Sequence, residues 1–384
     1  MKKLISFISI ILCISLLLSA CGKGKNNTNT PGGDSPESVT QDKLDIVRPT
    51  TYSNIKGLSL EPGSYISIIG RYSNDSYWKE VEAGAKKAIE DLNTLLGYKG
   101  NKKIKLSYIA PEVRDDVNEQ VNLLDEELSR YPVAISIAAV DASACAIQFD
   151  LAAENGIPII TFDSGSNYKN IAAHISTDNL DAARTAAAKL AYAMEEKGEI
   201  AIFVQDSVSM TAQQRLQGFS EVLTKDFPEV SVVHTYHFDQ LETMQKTIAD
   251  EKNATIEDEK DKIDPKDISQ KEVIEYILEK NPNLKGIYTT NLDTTQTVAK
   301  VLTELERFDL KFVGFDGGKE QMKLLENELL EGLIIQNPYG MGYATVVAAV
   351  RVAMGLGNES SVNTGYTWVT KENMTTKDIE AMLY

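Results

Sequence analysis

From Ser64 onward, short apolar, β-branched runs alternate with stretches of helical periodicity. The runs cover 65–70, 103–110, 133–140, 157–162, 173–176, 199–205, 230–238, 284–290, 310–315, 333–336 and 366–369. Amphipathic stretches such as 77–96, 115–131 and 182–197 lie between them. Such alternation builds parallel sheets with helices on both faces. About eleven strands are too many for one ordinary open sheet, so two sheets in two lobes are expected.

The ends of these runs carry the most specific information. In parallel α/β sheets, ligands bind just beyond the carboxyl ends of the strands. Here the runs end at Arg71, Asp163, Asp206, Asp239, Asn291, Asp316 and Gln336. An Asp or Asn in such a place also caps the following helix, which explains any one of them alone. Arg71 and Gln336 are not explained by capping. Carboxylates accept paired hydrogen bonds from neighbouring hydroxyls, and amides donate and accept, so the crevice suits a polyhydroxylated ligand. Tyr77, Trp78, Phe238 and Tyr339 stand close to the same ends, and aromatic faces pack on the C–H face of a sugar ring.

The beginning of the chain reads differently. Lys2 and Lys3 precede an apolar run to Leu18, shorter than the ~20 residues of a spanning helix, and small residues follow. Residues 1–20 are therefore read as a cleaved export signal. The quartet Leu18-Ser19-Ala20-Cys21 resembles the lipobox of bacterial lipoproteins, which implies a lipid on Cys21 and an extracytoplasmic protein held to the cell membrane. Residues 22–43 are polar and lack aromatics, and 44–62 are transitional, so 21–62 is expected to be a lipidated cysteine and flexible tether. Of the three cysteines, Cys13 lies in the signal and Cys21 is acylated, leaving Cys145 with no internal disulfide partner. The 384 residues carry a formal charge of −17, and loss of Lys2 and Lys3 makes the remainder more acidic still. That balance argues against nucleic acid or anionic lipid as a partner. Residues 250–272 are almost wholly charged or polar and read as an acidic insertion; they lack the spacing and glycine of a calcium loop.

Catalytic signatures are sparse. His234 and His237 lie three apart in a strand-like run, facing opposite sides, and no metal site is expected. There is no G-x-S-x-G elbow, no Walker lysine loop and no G-x-G-x-x-G after a strand. Asp163 and Asp316 are conceivable as a glycosidase pair, a reading that requires carboxyls ~5–10 Å apart.

Taken in order, the segments ISIIGRYSNDSYWKEVEAGAKKA, IPIITFDS, HISTDN, QQRLQGF, the strand-ending Asn291, FVGFDG and IIQNP resemble the type I periplasmic sugar-binding proteins, the ribose- and galactose-binding group. The resemblance runs from about Tyr65 to about Val369. It implies an α/β fold of two lobes, each a parallel sheet flanked by helices, joined by three hinge crossings near 176–178, 336–338 and 365–367. The lobes are then 63–176 plus 338–364, and 177–337 plus 365–384. It further implies a non-enzymatic, monomeric binding protein without cofactor, which delivers a sugar or similar polar molecule to an ABC permease. By resemblance Asp163 holds ring hydroxyls, and Asp75 and Trp78 contact the sugar's edge and face. Gln213 stands where the family often carries a ligand-binding arginine. Phe238, Asn291 and Asp316 match stacking or hydrogen-bonding positions, and Gln336 a contact beside a hinge. Arg215 matches an arginine with a structural role. The expected ligand-binding set is Arg71, Asp75, Tyr77, Trp78, Asp163, Ser164, Gln213, Phe238, Asn291, Asp316 and Gln336. The departures are Arg71 in place of a small polar residue, and Ser164 and Gln213 in place of arginines. Arg71 is similar to a lysine of autoinducer-2 receptors, which leaves open a sensory receptor for such a signal, a nucleoside or an acidic sugar.

Overall fold

The apolar runs become twelve strands among the described residues, which are 36–380 and 382–384 of a computed structural model. In chain order these are β1 (Tyr65–Ile69), β2 (Lys105–Ile109), β3 (Ala134–Ile137), β4 (Ile159–Phe162), β5 (His174–Ser176), β6 (Gly198–Val204), β7 (Val230–His237), β8 (Leu284–Thr289), β9 (Lys311–Phe315), β10 (Gly332–Gln336), β11 (Ser361–Asn363) and β12 (Tyr366–Val369). They form two six-stranded sheets, ordered β11-β5-β4-β3-β1-β2 and β12-β10-β9-β8-β6-β7. Each sheet is the core of one lobe, and the chain passes between lobes after β5, after β10 and between β11 and β12. The two-lobed α/β architecture with three crossings is thus as the sequence implies.

All pairings are parallel save one: β12 runs antiparallel to β10, with Gln336 opposite Tyr366. The reason is the short connection. Only Thr364 and Gly365 separate β12 from β11, so the chain re-enters beside the end of β10 and runs back along it. β11 has three residues and alternates exposed, buried, exposed, too short a pattern to be read from sequence.

The helix Ser76–Leu96 starts at the Asp75 cap, whose side chain accepts from the Trp78 amide, and stops at Gly97 in the left-handed conformation. It packs closely on the helix Pro338–Ala353. A Cβ added to Gly84 would lie 1.9 Å from the Tyr339 carbonyl, and one added to Gly342 1.9 Å from the Val81 carbonyl. Only glycine allows that approach, which fixes the start of the Ser76–Leu96 helix against the hinge.

One expectation needs correction. The export signal at 1–20 and Cys21 lie outside the described residues, but the segment expected to continue as a tether to residue 62 is packed. Leu44, Val47, Tyr52 and Leu58 are buried with the first lobe's core, while Ile46 packs on the second's. Arg48 and Asn363 exchange backbone hydrogen bonds of 2.8 and 2.9 Å, and the Asn337 side chain donates to the Lys43 carbonyl at 2.7 Å. The apolar residues spaced through 44–58 and the open edge of β11 outweigh the entropy of a free tether. The region read as an acidic insertion, 250–272, takes in the end of the helix Leu241–Asn253, a loop with two short 3-10 turns and the start of the helix Gln270–Lys280. Asn253 clasps Ile263 through two 2.9 Å hydrogen bonds, and Ile268 is buried in the second lobe. Three-residue groups of His, Cys, Asp or Glu placed to hold a metal ion are absent among the described residues.

Candidate functional site

Asp163 follows β4 and Asp316 follows β9, and these strands hold the same place in the two sheets. Each Asp amide bonds the neighbouring strand in the same way: Asp163 to the Ile175 carbonyl at 2.9 Å, Asp316 to the Ile334 carbonyl at 2.7 Å. Both have left-handed backbones, φ 55° and 75°. Such conformations are rare for non-glycine residues and gather at functional sites. The two carboxylates line one cleft of about 470 Å³, counted out to its open mouth.

Arg71, Asp75, Tyr77, Trp78, Asp163, Asn291, Asp316 and Gln336 all line this cleft, together with Arg114, Asp115, Gln205, Thr211, Arg215 and Leu292. Three residues of the expected set are not brought there. Gln213 is exposed, because on the helix Met210–Asp226 it faces away from Thr211 and Arg215. Phe238 follows β7, the outer strand of its sheet, and packs against the second lobe's core beside Tyr236. Ser164 is fully buried, and its hydroxyl finds no partner among the described residues. Arg215, assigned a structural role by resemblance, does line the cleft. It is nevertheless fixed: its Nε donates to Asn179 Oδ1 at 2.9 Å, its Nη1 to the Thr290 carbonyl at 2.5 Å, and its guanidinium lies 4.2 Å over Phe315.

The other two arginines of the cleft are neutralised. Arg71, on the first lobe, donates from Nε to Asp115 at 2.8 Å and from Nη2 to Asp206 of the second lobe at 3.1 Å. Burial works against its charge, but Asp115 and Asp206 outweigh that and hold the guanidinium above its ordinary value. Asp206 also accepts from the Val208 and Ser209 amides and the Ser209 hydroxyl, so it closes its own turn as well as the lobes. Arg114 pairs with Asp75 at 3.0 Å and lies 4.4 Å over Tyr72.

The two strand-end carboxylates are organised differently. The Tyr77 hydroxyl donates to Asp163 Oδ1 at 2.6 Å, and Asp163 Oδ2 has no protein donor among the described residues. Burial raises the Asp163 carboxyl above the usual range, with Tyr77, Arg71 and Arg215 opposing. Asp316 Oδ1 accepts from Gln336 Nε2 at 2.7 Å and from the Tyr384 hydroxyl at 3.1 Å, and Oδ2 accepts from the Leu292 amide at 2.7 Å. Each thus keeps acceptor capacity facing the cleft. The Trp78 ring lies edge-on to Tyr77, with centroids 5.2 Å apart, and edge-on to Phe162 at 6.3 Å.

The site is tied to the hinge. Gln336, which donates to Asp316, accepts from the Thr177 hydroxyl at 2.9 Å, joining the first crossing to the second. Asn337 donates to the Thr364 carbonyl at 3.1 Å, joining the second to the third. Further contacts cross the cleft directly: Thr211 Oγ1 donates to the Asp163 carbonyl at 3.3 Å, and the Ala142 amide to the Val208 carbonyl at 3.3 Å. The lobes are therefore closed on one another. The remaining chemistry-bearing groups are structural. Cys145 is buried, which pushes its thiol up to about 11, and His174 is held at about 4 by burial beside Thr161.

Comparison with known proteins agrees with this architecture. A family model described as a periplasmic binding protein domain matches residues 66–357. The D-apiose import binding protein of Actinobacillus succinogenes is 25% identical over 255 residues, 66% of this chain and 69% of that protein. The ribose import binding protein of Bacillus subtilis is 19% identical over 254 residues, 66% of this chain and 74% of that protein. Among solved structures, a carbohydrate transporter solute binding protein from Agrobacterium radiobacter, in complex with D-arabinose, superposes with a TM-score of 0.69 and 28% identity, covering 84% of this chain and 99% of that one. An ABC transporter solute binding protein from Agrobacterium vitis with bound D-fucose, 22% identical with a TM-score of 0.68, shares the fold over 84% of this chain and all of its own.

Proposed function

The chain belongs to the periplasmic binding protein family, and we propose that it is the extracytoplasmic substrate-binding protein of an ABC importer, closing its two lobes around one monosaccharide or similar polyol. The observation that carries this reading is the pairing of Asp163 and Asp316 at equivalent strand ends, both with acceptor capacity turned into one cleft. The sugar-binding relatives support the substrate class. A neutral ligand is favoured over an anion. Arg71 and Arg114 already hold carboxylates, and Arg215 is fixed through Nε and Nη1 by Asn179 and the Thr290 carbonyl, which leaves chiefly its Nη2 for a ligand. Binding energy is spent on closing the hinge, and no residue is assigned a chemical step. In this reading Cys21 carries the lipid anchor.

A thermal-shift screen of residues 40–384 against neutral pentoses, hexoses, inositols, sugar acids, nucleosides and furanosyl borate tests the reading. Ligand at ~100 times its dissociation constant adds about 2.7 kcal/mol of stability. Hits confined to neutral sugars are expected; hits confined to anions or nucleosides would replace this substrate class. Mass spectrometry of the membrane fraction tests the anchor, with lipid on Cys21 expected and an unmodified Cys21 contradicting it.

A further inference from the structure

Each of the two strand-end aspartates is capped by a tyrosine, and the two tyrosines touch. Tyr77 donates to Asp163, Tyr384 donates to Asp316, and their rings meet edge to face with centroids 5.6 Å apart. Tyr384 is 68 residues from Asp316 in sequence and was not among the residues expected at the site. Its backbone belongs to the second lobe, where its amide reaches the Gly317 carbonyl at 3.4 Å and its hydroxyl accepts from the Gly317 amide at 3.1 Å. Its ring, however, is buried in the first lobe's aromatic cluster with Tyr77 and Trp78. One side chain therefore packs on the lobe that carries Asp163 and bonds the carboxylate that belongs to the other.

The consequence is visible in the acceptor inventory. Asp316 Oδ1 holds two donors, Gln336 Nε2 and the Tyr384 hydroxyl, and has no lone pair left in a favourable direction. Oδ2 holds only the Leu292 amide and keeps one acceptor position. We propose that Tyr384 is a specificity-determining positioning residue: by saturating Asp316 Oδ1 and fixing that carboxylate's plane, it leaves a single acceptor position on Asp316 and so dictates the orientation of the ligand hydroxyl received there. This deepens the proposed sugar-binding reading and rests on it. The phenol is suited to the role. Burial first, and Asp316 next, push it well above its ordinary value, so it stays a hydrogen-bond donor across physiological pH. With the phenol gone, Oδ1 regains an acceptor position and the carboxylate can rotate, so a hydroxyl of the opposite configuration becomes acceptable.

The test is Tyr384→Phe, which keeps the ring on Tyr77 and removes only the donor. Dissociation constants are measured by calorimetry for wild type, Y384F, D316N and the double variant against the four D-aldopentoses, D-glucose, D-galactose and D-allose, which differ in hydroxyl orientation. The expected result for Y384F is a loss of about tenfold for the best-bound sugar, with less than threefold change for its epimer at the hydroxyl facing Asp316. Selectivity then falls at least about threefold, and Y384F adds nothing further in the D316N background. A uniform change across all sugars, or full additivity with D316N, overturns the proposal, since a purely structural role acts that way. Wild type binding neither these sugars nor any neutral sugar of the thermal-shift screen removes the sugar reading instead. Positioning is then judged from a ligand-free Y384F crystal structure: a rotated Asp316 carboxylate sustains it, and an unmoved one overturns it.

Discussion

Replacing Asp163 by Asn isolates what its charge does. Asn accepts the left-handed backbone at φ 55° about as well as Asp, so the change adds little backbone strain, unlike Asp163→Ala. The Tyr77 hydroxyl, 2.6 Å from Oδ1, keeps an acceptor in the amide oxygen. What disappears is the anionic acceptor at Oδ2, which has no protein donor among the described residues and is left to the ligand. Hydrogen bonds to a charged group contribute about 1.5–3 kcal/mol each, and an amide nitrogen in that place presents donors to ligand donors. A loss of about 2–4 kcal/mol follows, roughly 30- to 1,000-fold in Kd. The stability of the ligand-free protein goes the other way. Burial raises the folded-state pKa of Asp163 above its unfolded value, so its contribution is favourable at low pH and is lost as pH rises; at neutral pH the buried charge costs stability. D163N should therefore melt at or above the wild-type temperature while binding far more weakly. Calorimetric titration with the sugar found by thermal shift, beside a melting curve without ligand, reads both. Affinity within threefold of wild type would refute the assignment of Asp163 as a ligand acceptor, and a collapse in melting temperature would refute the reasoning about its charge.

Arg71→Met leaves Asp115 and Asp206 without their cation and removes the ion pair between lobes; small-angle scattering should show a more open ligand-free protein, with neutral-sugar affinity down about 10- to 100-fold. An unchanged scattering curve would deny Arg71 a role in closure. Asn337→Ala strands the Lys43 and Thr364 carbonyls and uncaps the helix at Gly340, and should cost about 2–4 kcal/mol in urea denaturation, whereas a loss under 0.5 kcal/mol would show that the hinge does not depend on it. His174, half-buried against Thr161, is held down at about 4 from its ordinary 6.5 by loss of solvation. The unfolded chain binds its proton first, so stability is greatest above about 6.5 and falls by up to about 2–3 kcal/mol as pH drops towards 4. The His174→Gln variant should lose that part of the slope, and an unchanged pH profile would assign the acid sensitivity elsewhere.

Fold and site differ in how far they are legible in the sequence. The sheets are legible because parallel strands covered on both faces need unbroken apolar runs, and runs such as IPIITF and KFVGF cannot serve as anything else at that spacing. The strand-end rule then leads directly to Asp163, Asn291, Asp316 and Gln336, all of which line the cleft. It fails where a side chain's direction matters more than its place. Gln213 is two residues from both Thr211 and Arg215, hence on the opposite face of its helix; the buried stripe Thr211, Arg215, Gly218 and Phe219 was the available signal. Phe238 ends a strand as Asp316 does, but β7 is the edge strand of its sheet whereas β9 is an inner one, and strand order is not written in local pattern. Arg114 and Asp115 lie in the loop before the helix Val117–Leu128, without periodicity to aim them. Tyr384 and the packing of residues 44–58 depend on contacts between distant parts of the chain, which no window of sequence displays.

The central claim is that Asp163 and Asp316 receive the hydroxyls of one neutral sugar between closed lobes. A crystal structure of the protein with the sugar selected by the thermal-shift screen tests it directly. A single sugar is expected in the cleft, with hydroxyls within about 3 Å of Asp163 Oδ2 and Asp316 Oδ2 and with Trp78 against the ring. A sugar held outside the cleft, or inside it without touching either carboxylate, would contradict the account.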